Sequence, residues 1–442
     1  MLEVATSVSC EELVRWVEDA RSRTFDLVAD LTDEQMIGPR LPTINPLMWE
    51  IGHAAWFYEH WVLRHVANQA SLRDEVDSLY DSITIEHPIR WDLPILPRQE
   101  ILLYLAEVRD RVIDVLLSSS PSEELDYFVK LAIFHEDMHT EAFTYTRQTL
   151  GYRAPQFAVY EEPTDEHPCT RESAKGDVDI PGGTFPLGAS RDESFVFDNE
   201  QWAHPVLVRP FSISRTAVTQ TEFAGFVDEH GYKRRELWSD EGWKWRESEQ
   251  AEQPLYWNRQ LNGNWLRRDF DRWVVLEPNK PMIHVNWHEA QAYCRWAGRR
   301  LPSEVEWEVA AAAPLSSDGD LLSSEKHRFP WGDDPPTPRH SRMDWHSMGT
   351  TSVDDLAEGD SQLGCRQMIG NVWEWTDTTF NPYPDFSVGP YKEYSQSCFG
   401  ECKVLRGGCW VTRSRLIRNT WRNYYCPDRR DIWSGFRTCA LM

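Results

Sequence analysis

The sequence predicts a four-helix bundle followed by a loop-rich α+β domain, and three observations carry that reading. Up to residue 150, apolar side chains recur every three or four positions, the period of a helix packed on one face. Residues 151–177 ("GYRAPQFAVYEEPTDEHPCTRESAKGD") are polar, aperiodic and broken by proline, which reads as a linker. From 178 to 442 the texture changes to short β-like runs separated by Gly, Pro and Trp.

The helical pattern occupies stretches near 9–31, 45–68, 97–119 and 120–150. In "NPLMWE", Asn45 is a candidate N-cap with Pro46 at the first helical position. In "SPSE", Ser120 takes the cap, Pro121 follows, and Glu123 closes a capping box. Gly151 ends the last helix. Short connections between four helices imply a bundle. In the second domain "FSISRTAVT", "KPMIHVNW" and "KVLRGGCW" read as strands. Two helices stand out there, one near 219–230 and one in "NWHEAQAYCRWAGRRLPSEVEWEVAAA", the latter divided at Leu301–Pro302.

Composition bounds the function. The chain carries 71 acidic against 46 basic side chains, a formal charge of −25. Nothing offsets phosphate repulsion, so no nucleic-acid or anionic-membrane partner is expected. No apolar run approaches a membrane span, and "MLEVATSVSCEELVRWVEDA" lacks a basic stretch followed by an apolar core, so a cytoplasmic protein is expected. Nine cysteines without a C-x-x-C pair read as reduced thiols, although Cys398, Cys402, Cys409, Cys426 and Cys439 cluster late. The 22 tryptophans suit a core stapled by large aromatics, or pockets that receive a cation or a ring.

The sharpest motif is "HEDMH" at 135–139. Leu125, Phe128, Ala132, His135, His139, Ala142 and Thr146 share one helix face, so both imidazoles point into the bundle one turn apart. That is a bidentate metal platform. A zinc protease would need Glu136 as base and a third ligand downstream, but the extended pattern fails at Ala142 and Tyr145, and Glu161 and Glu162 lie in the linker. An upstream ligand fits better. His53 and His60 both lie on the inward stripe Trp49, His53, Trp56, His60, Leu63, and spacing alone does not choose between them; His65 falls outside it. Three histidines on one face leave metal positions open and suit iron(II) as well as zinc.

With "GHAAWFYE" and "HEDMH" in the bundle, and "IPGGTFPLG", "FDNE", "GNVWEWT", "KVLRGGCW" and "SGFR" beyond it, the chain resembles the iron-dependent sulfoxide synthase family of ergothioneine biosynthesis, whose relatives make ovothiol and selenoneine. The resemblance covers nearly the whole chain. It implies a DinB-like four-helix bundle joined to a domain of the formylglycine-generating-enzyme, C-type-lectin-like fold. It also implies Fe(II) held by His53, His135 and His139. The implied reaction uses dioxygen to join a sulfur or selenium donor to the imidazole C2 of hercynine, the trimethylated betaine of histidine. Tyr383 of "NPYPDF" would be the proton donor, with Tyr391 and Tyr394 as the alternatives. Trp421, Asn423, Tyr424 and Tyr425 would receive the quaternary ammonium.

Two departures bear on the donor. Where the family commonly has glutamine before the last histidine, this chain has Met138, which offers no hydrogen bond. Where members that use γ-glutamylcysteine have a carboxylate, it has Tyr425, leaving Arg429, Arg430, Asp431 and Arg437 as possible donor contacts. The variants "NPLMWEIGH" and "HEDMHTEAF" look closest to the selenoneine synthase branch, which takes a selenosugar. A cysteine-type thiol donor is the alternative. A formylglycine-generating activity would instead need a reactive cysteine pair in the last strands, for which Cys409 is the first candidate.

Overall fold

The computed structural model describes residues 8–157, 174–314, 322–323 and 325–441. Most of the expected linker, with Glu161 and Glu162, therefore lies outside the described residues. The chain divides into two units, Met1–Ala158 and Val159–Met442.

In the first unit Ser9 accepts the Glu12 N–H and opens α1, Cys10–Val28, with Glu11 and Glu12 complementing the helix dipole. Thr32 and Gln35 form a capping box on the short α2, Asp33–Ile37. Helix α3, Leu47–Tyr58, is buried along its whole length, so apolar residues surround it rather than striping it. Pro46, not Asn45, occupies the cap position, because the Asn45 side chain accepts from Arg90 instead (2.8 Å). After Tyr58 the expected continuous helix gives way to a π-helical segment, Glu59–Val66, in which the ladder widens to i→i+5. Helices α4 (Val76–Tyr80), α5 (Arg98–Ser118) and α6 (Glu123–Leu150) complete the unit. Helices α1 and α3 each pack on both α5 and α6, which makes the four-helix bundle. Ser122 caps α6, with Glu123, Glu124 and Asp126 in its first turn, so the expected cap at Ser120 is displaced by two residues. Gly151 closes α6 in the left-handed conformation, as expected.

One contact ties α3 to α4. The Tyr80 ring sits where a Gly52 side chain would be, since a Cβ there would lie 2.2 Å from Tyr80 Cε1. Only glycine lets the two helices approach this closely.

The second unit joins small sheets through long loops. Strands β1 (Asp177–Ile180), β2 (Gly183–Leu187), β3 (His204–Val208) and β4 (Phe211–Ser214) precede α7, Gln220–Asp228. A helix that the sequence pattern did not signal follows, α8, Asp240–Ser248; its nine residues include two tryptophans and bury little. Strands β5 (Trp257–Arg259), β6 (Trp265–Asp269) and β7 (Arg272–Val275) form a meander. Then come α9 (Trp287–Trp296), β8 (Arg299–Arg300) and α10 (Glu304–Ala312), with the break at Leu301–Pro302 as expected. Strands β9 (Trp373–Thr379), β10 (Lys403–Arg406), β11 (Asn423–Tyr425), β12 (Ser434–Gly435) and β13 (Cys439–Ala440) close the fold. The sheets are ordered β1-β4-β13-β8 and β11-β10-β9-β12. "KPMIHVNW" is not a strand, because His284 adopts φ +60° and the run makes only a bridge at Pro281.

The family-like motifs of this unit turn out to be internal charges. Glu374 of "GNVWEW" accepts from Arg437 Nε (2.6 Å), Arg437 Nη2 (2.8 Å) and Trp307 Nε1 (2.8 Å). Glu304 accepts from Arg422 and Arg406, and Glu308 from Arg406 and Lys326. Glu200 of "FDNE" takes Arg418 and Thr420. All these glutamates are buried, so each charge is carried by a partner built into the fold.

Candidate metal centre

Three imidazole nitrogens converge inside the bundle. His53 Nε2 on α3 lies 3.3 Å from His135 Nε2 on α6, and His139 Nε2 lies 3.2 Å from the same atom. Among the described residues this is the group of His, Cys, Asp or Glu whose ligand atoms all fall within 4.8 Å of one another. His60 does not join it. Seven residues along a helix separate it from His53 by about 10 Å, so one ion reaches only one of the two. His60 sits instead between Trp56 and Trp61 at the start of the π segment. His65 is exposed, as expected.

The protons are placed by the neighbours. His53 Nδ1 donates to the Tyr80 carbonyl (2.8 Å), and His139 Nδ1 to the Glu50 carboxylate (2.7 Å). Both rings therefore turn an Nε2 lone pair to the centre. Burial, followed by the nearby His139 ring, holds His53 and His135 well below the ordinary imidazole range, so both are neutral at physiological pH. Lone pairs facing one another at this distance repel unless a cation lies between them. Glu50 adds a second sign of a cation: it is buried, its Oε2 has no hydrogen-bond partner among the described residues, and the ion-pair partner that its carboxylate meets is His139. Imidazole ligands about 2.1 Å from a shared ion sit about 3 Å apart, so the donors fit a divalent metal.

Aromatic rings wall the centre. Trp49 stacks on His53 (centroids 5.0 Å, 7°), and Phe57 stacks on His135 (3.7 Å, 7°). Glu136 faces the other way. It accepts from Thr24 Oγ1 (2.6 Å) and lies 3.4 Å from Arg21 Nε, both on α1, which removes it from the base role of a zinc protease.

Residues 17–143 match the DinB superfamily, and residues 163–441 match the sulfatase-modifying factor enzyme 1-like domain. The hercynine oxygenase of Mycolicibacterium thermoresistibile is 34% identical over 434 residues, covering 96% of this chain and 94% of the relative. That of Mycobacterium tuberculosis is 34% identical over 436 residues, covering 97% and 98%. The chain belongs to the hercynine oxygenase family. A formylglycine-generating enzyme of Streptomyces coelicolor is 31% identical over 327 residues, but these cover only 66% of this chain, against 96% of the relative. The hercynine oxygenases match this chain over nearly its whole length, bundle included, whereas the formylglycine-generating enzyme matches about two thirds of it.

Apart from Met138, the other residues that the family resemblance points to lie in the second unit. Trp421 is buried, with Nε1 3.5 Å from Tyr394 Oη, and its ring lies beside Phe197 and Trp373. Tyr424 on β11 stacks on Phe380 (4.1 Å) and meets Tyr394 edge-on. Trp421, Tyr394 and Tyr424 thus belong to one aromatic cluster, with Asn423 and Tyr425 on the same strand and Tyr391 beside Tyr394. Tyr383 is buried elsewhere in this unit, its phenol donating to Glu304 (3.2 Å) and its ring under Arg422. Burial lifts this phenol well above its ordinary value, so it stays protonated. Met138 is half-buried, between the two α6 ligands.

Arg437 requires a correction. It is fully buried and all five N–H groups are used, by Glu374 and by the carbonyls of Ser214, Arg215 and Arg366, so no donor remains for a substrate. Arg429 pairs with Asp431 (2.7 and 2.8 Å), and Arg430 lies near Glu249 and Glu289 over the Trp245 ring. Cys409 is fully buried, with Sγ 3.5 Å from Thr412 Oγ1.

Sequence reasoning missed Glu50 and Tyr80. Glu50 stood three residues before His53 in "WEIGH", where a carboxylate one turn from a ligand could have been suspected. Tyr80 contributes a backbone carbonyl, which no side-chain pattern records. Glu50→Gln is expected to weaken metal binding by about 10–100-fold while leaving the fold intact, as measured by iron retention against a chelator.

Proposed function

We propose that the chain is a mononuclear, iron(II)- and dioxygen-dependent synthase that joins a chalcogen donor to the imidazole C2 of hercynine. The observation that supports this most directly is the convergence of three Nε2 atoms, two of them oriented by Nδ1 hydrogen bonds. His53, His135 and His139 would hold the ion. When bound, iron(II) supplies open positions for a chalcogenolate, an imidazole and dioxygen.

The protein's own side chains do the rest. Glu50 and the Tyr80 carbonyl keep His139 and His53 in the tautomer that offers Nε2, and the Trp49 and Phe57 rings hold water off the ligands. A trimethylammonium offers no hydrogen-bond donor, so aromatic faces such as those of Trp421 and Tyr424 suit it. For the proton donor we keep Tyr383, on the family resemblance; its phenol carries its proton at neutral pH and donates to Glu304.

For the donor we favour a selenosugar. Met138 offers no hydrogen bond beside the ligands, and the strand Asn423–Tyr425 brings no carboxylate to hold an amino-acid ammonium. The test is competition. Anaerobically iron-loaded protein receives hercynine and air, with a selenosugar, cysteine and γ-glutamylcysteine offered together and products read by mass. A hercynine–selenosugar adduct is expected to dominate. Adducts with thiols alone would overturn the donor, and unconsumed hercynine would overturn the reaction.

A further inference from the structure

Three thiols outside the histidine centre stand in a row. In the antiparallel pair of β10 and β11, Lys403 faces Tyr425, so Cys402 and Cys426 come directly opposite each other at the end of the ladder. Their sulfurs are 3.8 Å apart and not bonded. Cross-strand neighbours have the Cα spacing that a disulfide spans, about 4.5–5.5 Å. Cys398, on the 3₁₀ turn Gln396–Cys398, is the second neighbour of Cys402, whose backbone N–H donates to the Cys398 carbonyl (3.2 Å) and whose thiol interacts with the Cys398 thiol. The accessibilities are graded: Cys426 is exposed, Cys398 half-buried and Cys402 buried.

This arrangement distinguishes between two kinds of thiol chemistry. A three-thiolate metal site needs three sulfurs in mutual contact, but among the described residues these three do not form a group within 4.8 Å of one another, whereas the histidines do. A row with a shared central sulfur is instead the geometry of thiol–disulfide exchange. We propose that Cys402 and Cys426 form a reversible, peroxide-sensitive disulfide, with Cys398 as the second partner of Cys402.

The chemistry balances with hydrogen peroxide as the oxidant. The exposed Cys426 thiolate attacks the peroxide O–O bond, giving a sulfenic acid and releasing hydroxide, which takes up a proton to become water. Cys402 sulfur then attacks that sulfenic sulfur; an S–S bond forms and a second water leaves, carrying the Cys402 proton. Two thiols are oxidised by two electrons and one peroxide is reduced to two waters. A small dithiol restores both thiols by exchange. The electrostatics suit these roles. Cys402 has one S–H proton, and the thiol to which it donates, Cys426 or Cys398, is lowered to about 7, while Cys402 itself is pushed up. The thiolate is the nucleophile, so oxidation should quicken as pH rises through about 7 and level off above about 8, rather than near the ordinary thiol value.

The site lies at one end of β11, so the disulfide would pin the strand carrying Asn423, Tyr424 and Tyr425 to β10. Its test is independent of the proposed synthase chemistry. The full-length protein is titrated with hydrogen peroxide, alkylated, cut with trypsin and a glutamate-specific protease, and analysed by mass; cleavage after Glu401 separates Cys398 from Cys402. A Cys402–Cys426 link should accumulate with the first few equivalents and vanish with dithiothreitol. In Cys426→Ser the link should move to Cys398–Cys402, and Cys402→Ser should form neither. Wild-type protein whose Cys402 remains fully alkylatable while Cys426 proceeds to sulfinic acid would overturn the proposal. So would a Cys398–Cys426 link that forms in Cys402→Ser as readily as the Cys402–Cys426 link does in wild type.

Discussion

His53→Ala is expected to lose its iron and its turnover, while His60→Ala in the π segment that follows α3 keeps both. Two inward histidines compete for the third ligand position in the sequence, and only His53 has its Nε2 3.3 Å from that of His135. Removing a ligand should cost at least as much as removing an oriented partner of one, so the loss in affinity is roughly 10²-fold or more. Iron per chain by elemental analysis and hercynine consumption are the two readouts. Circular dichroism checks that the bundle persists, since His53 lies between packed aromatic rings. Iron retained in His53→Ala at wild-type stoichiometry would end the assignment.

Glu374→Ala should destabilise the second unit by about 3–5 kcal/mol, because it strands the Arg437 guanidinium without a counter-charge in a site closed to water. The carboxylate also accepts the Trp307 indole N–H, which would lose its partner in the same step. Denaturant unfolding followed by tryptophan fluorescence reads the shift. Replacing the pair together, Glu374→Leu with Arg437→Met, should cost much less, since no buried charge is left over. A single variant within about 1 kcal/mol of wild type would show that water reaches this pair.

The part of the site legible in the sequence is the part written in helical spacing. His135 and His139 are one turn apart, and a 3.6-residue period makes their common direction unavoidable. The two-part fold was legible for the same reason, as a change of period and composition. Where the structure departs, the deciding contacts are distant in sequence. Asn45 is drawn off its cap by Arg90, forty-five residues on. Arg437 looked free for a substrate because Glu374, sixty-three residues earlier, cannot be seen as its partner from spacing. "KPMIHVNW" has strand-like composition, but tertiary packing places His284 in a left-handed conformation that no strand tolerates. Tyr80 acts through its carbonyl, which every residue has.

Glu136 stands beside a ligand and points away from the centre, to Thr24 and Arg21 of α1. The helix that presents two histidines on one face is therefore held by the opening helix of the chain on another. In the language of linkage, an ion captured by the histidines adds its binding free energy to the folded state, growing as the logarithm of its concentration over the dissociation constant. Part of that gain must pass through the Glu136 contacts, because α6 cannot settle around an ion without settling on α1. Amides of α1 would then exchange with solvent more slowly as metal is added, and the order of that helix becomes a reporter of occupancy at a centre whose histidines come from α3 and α6.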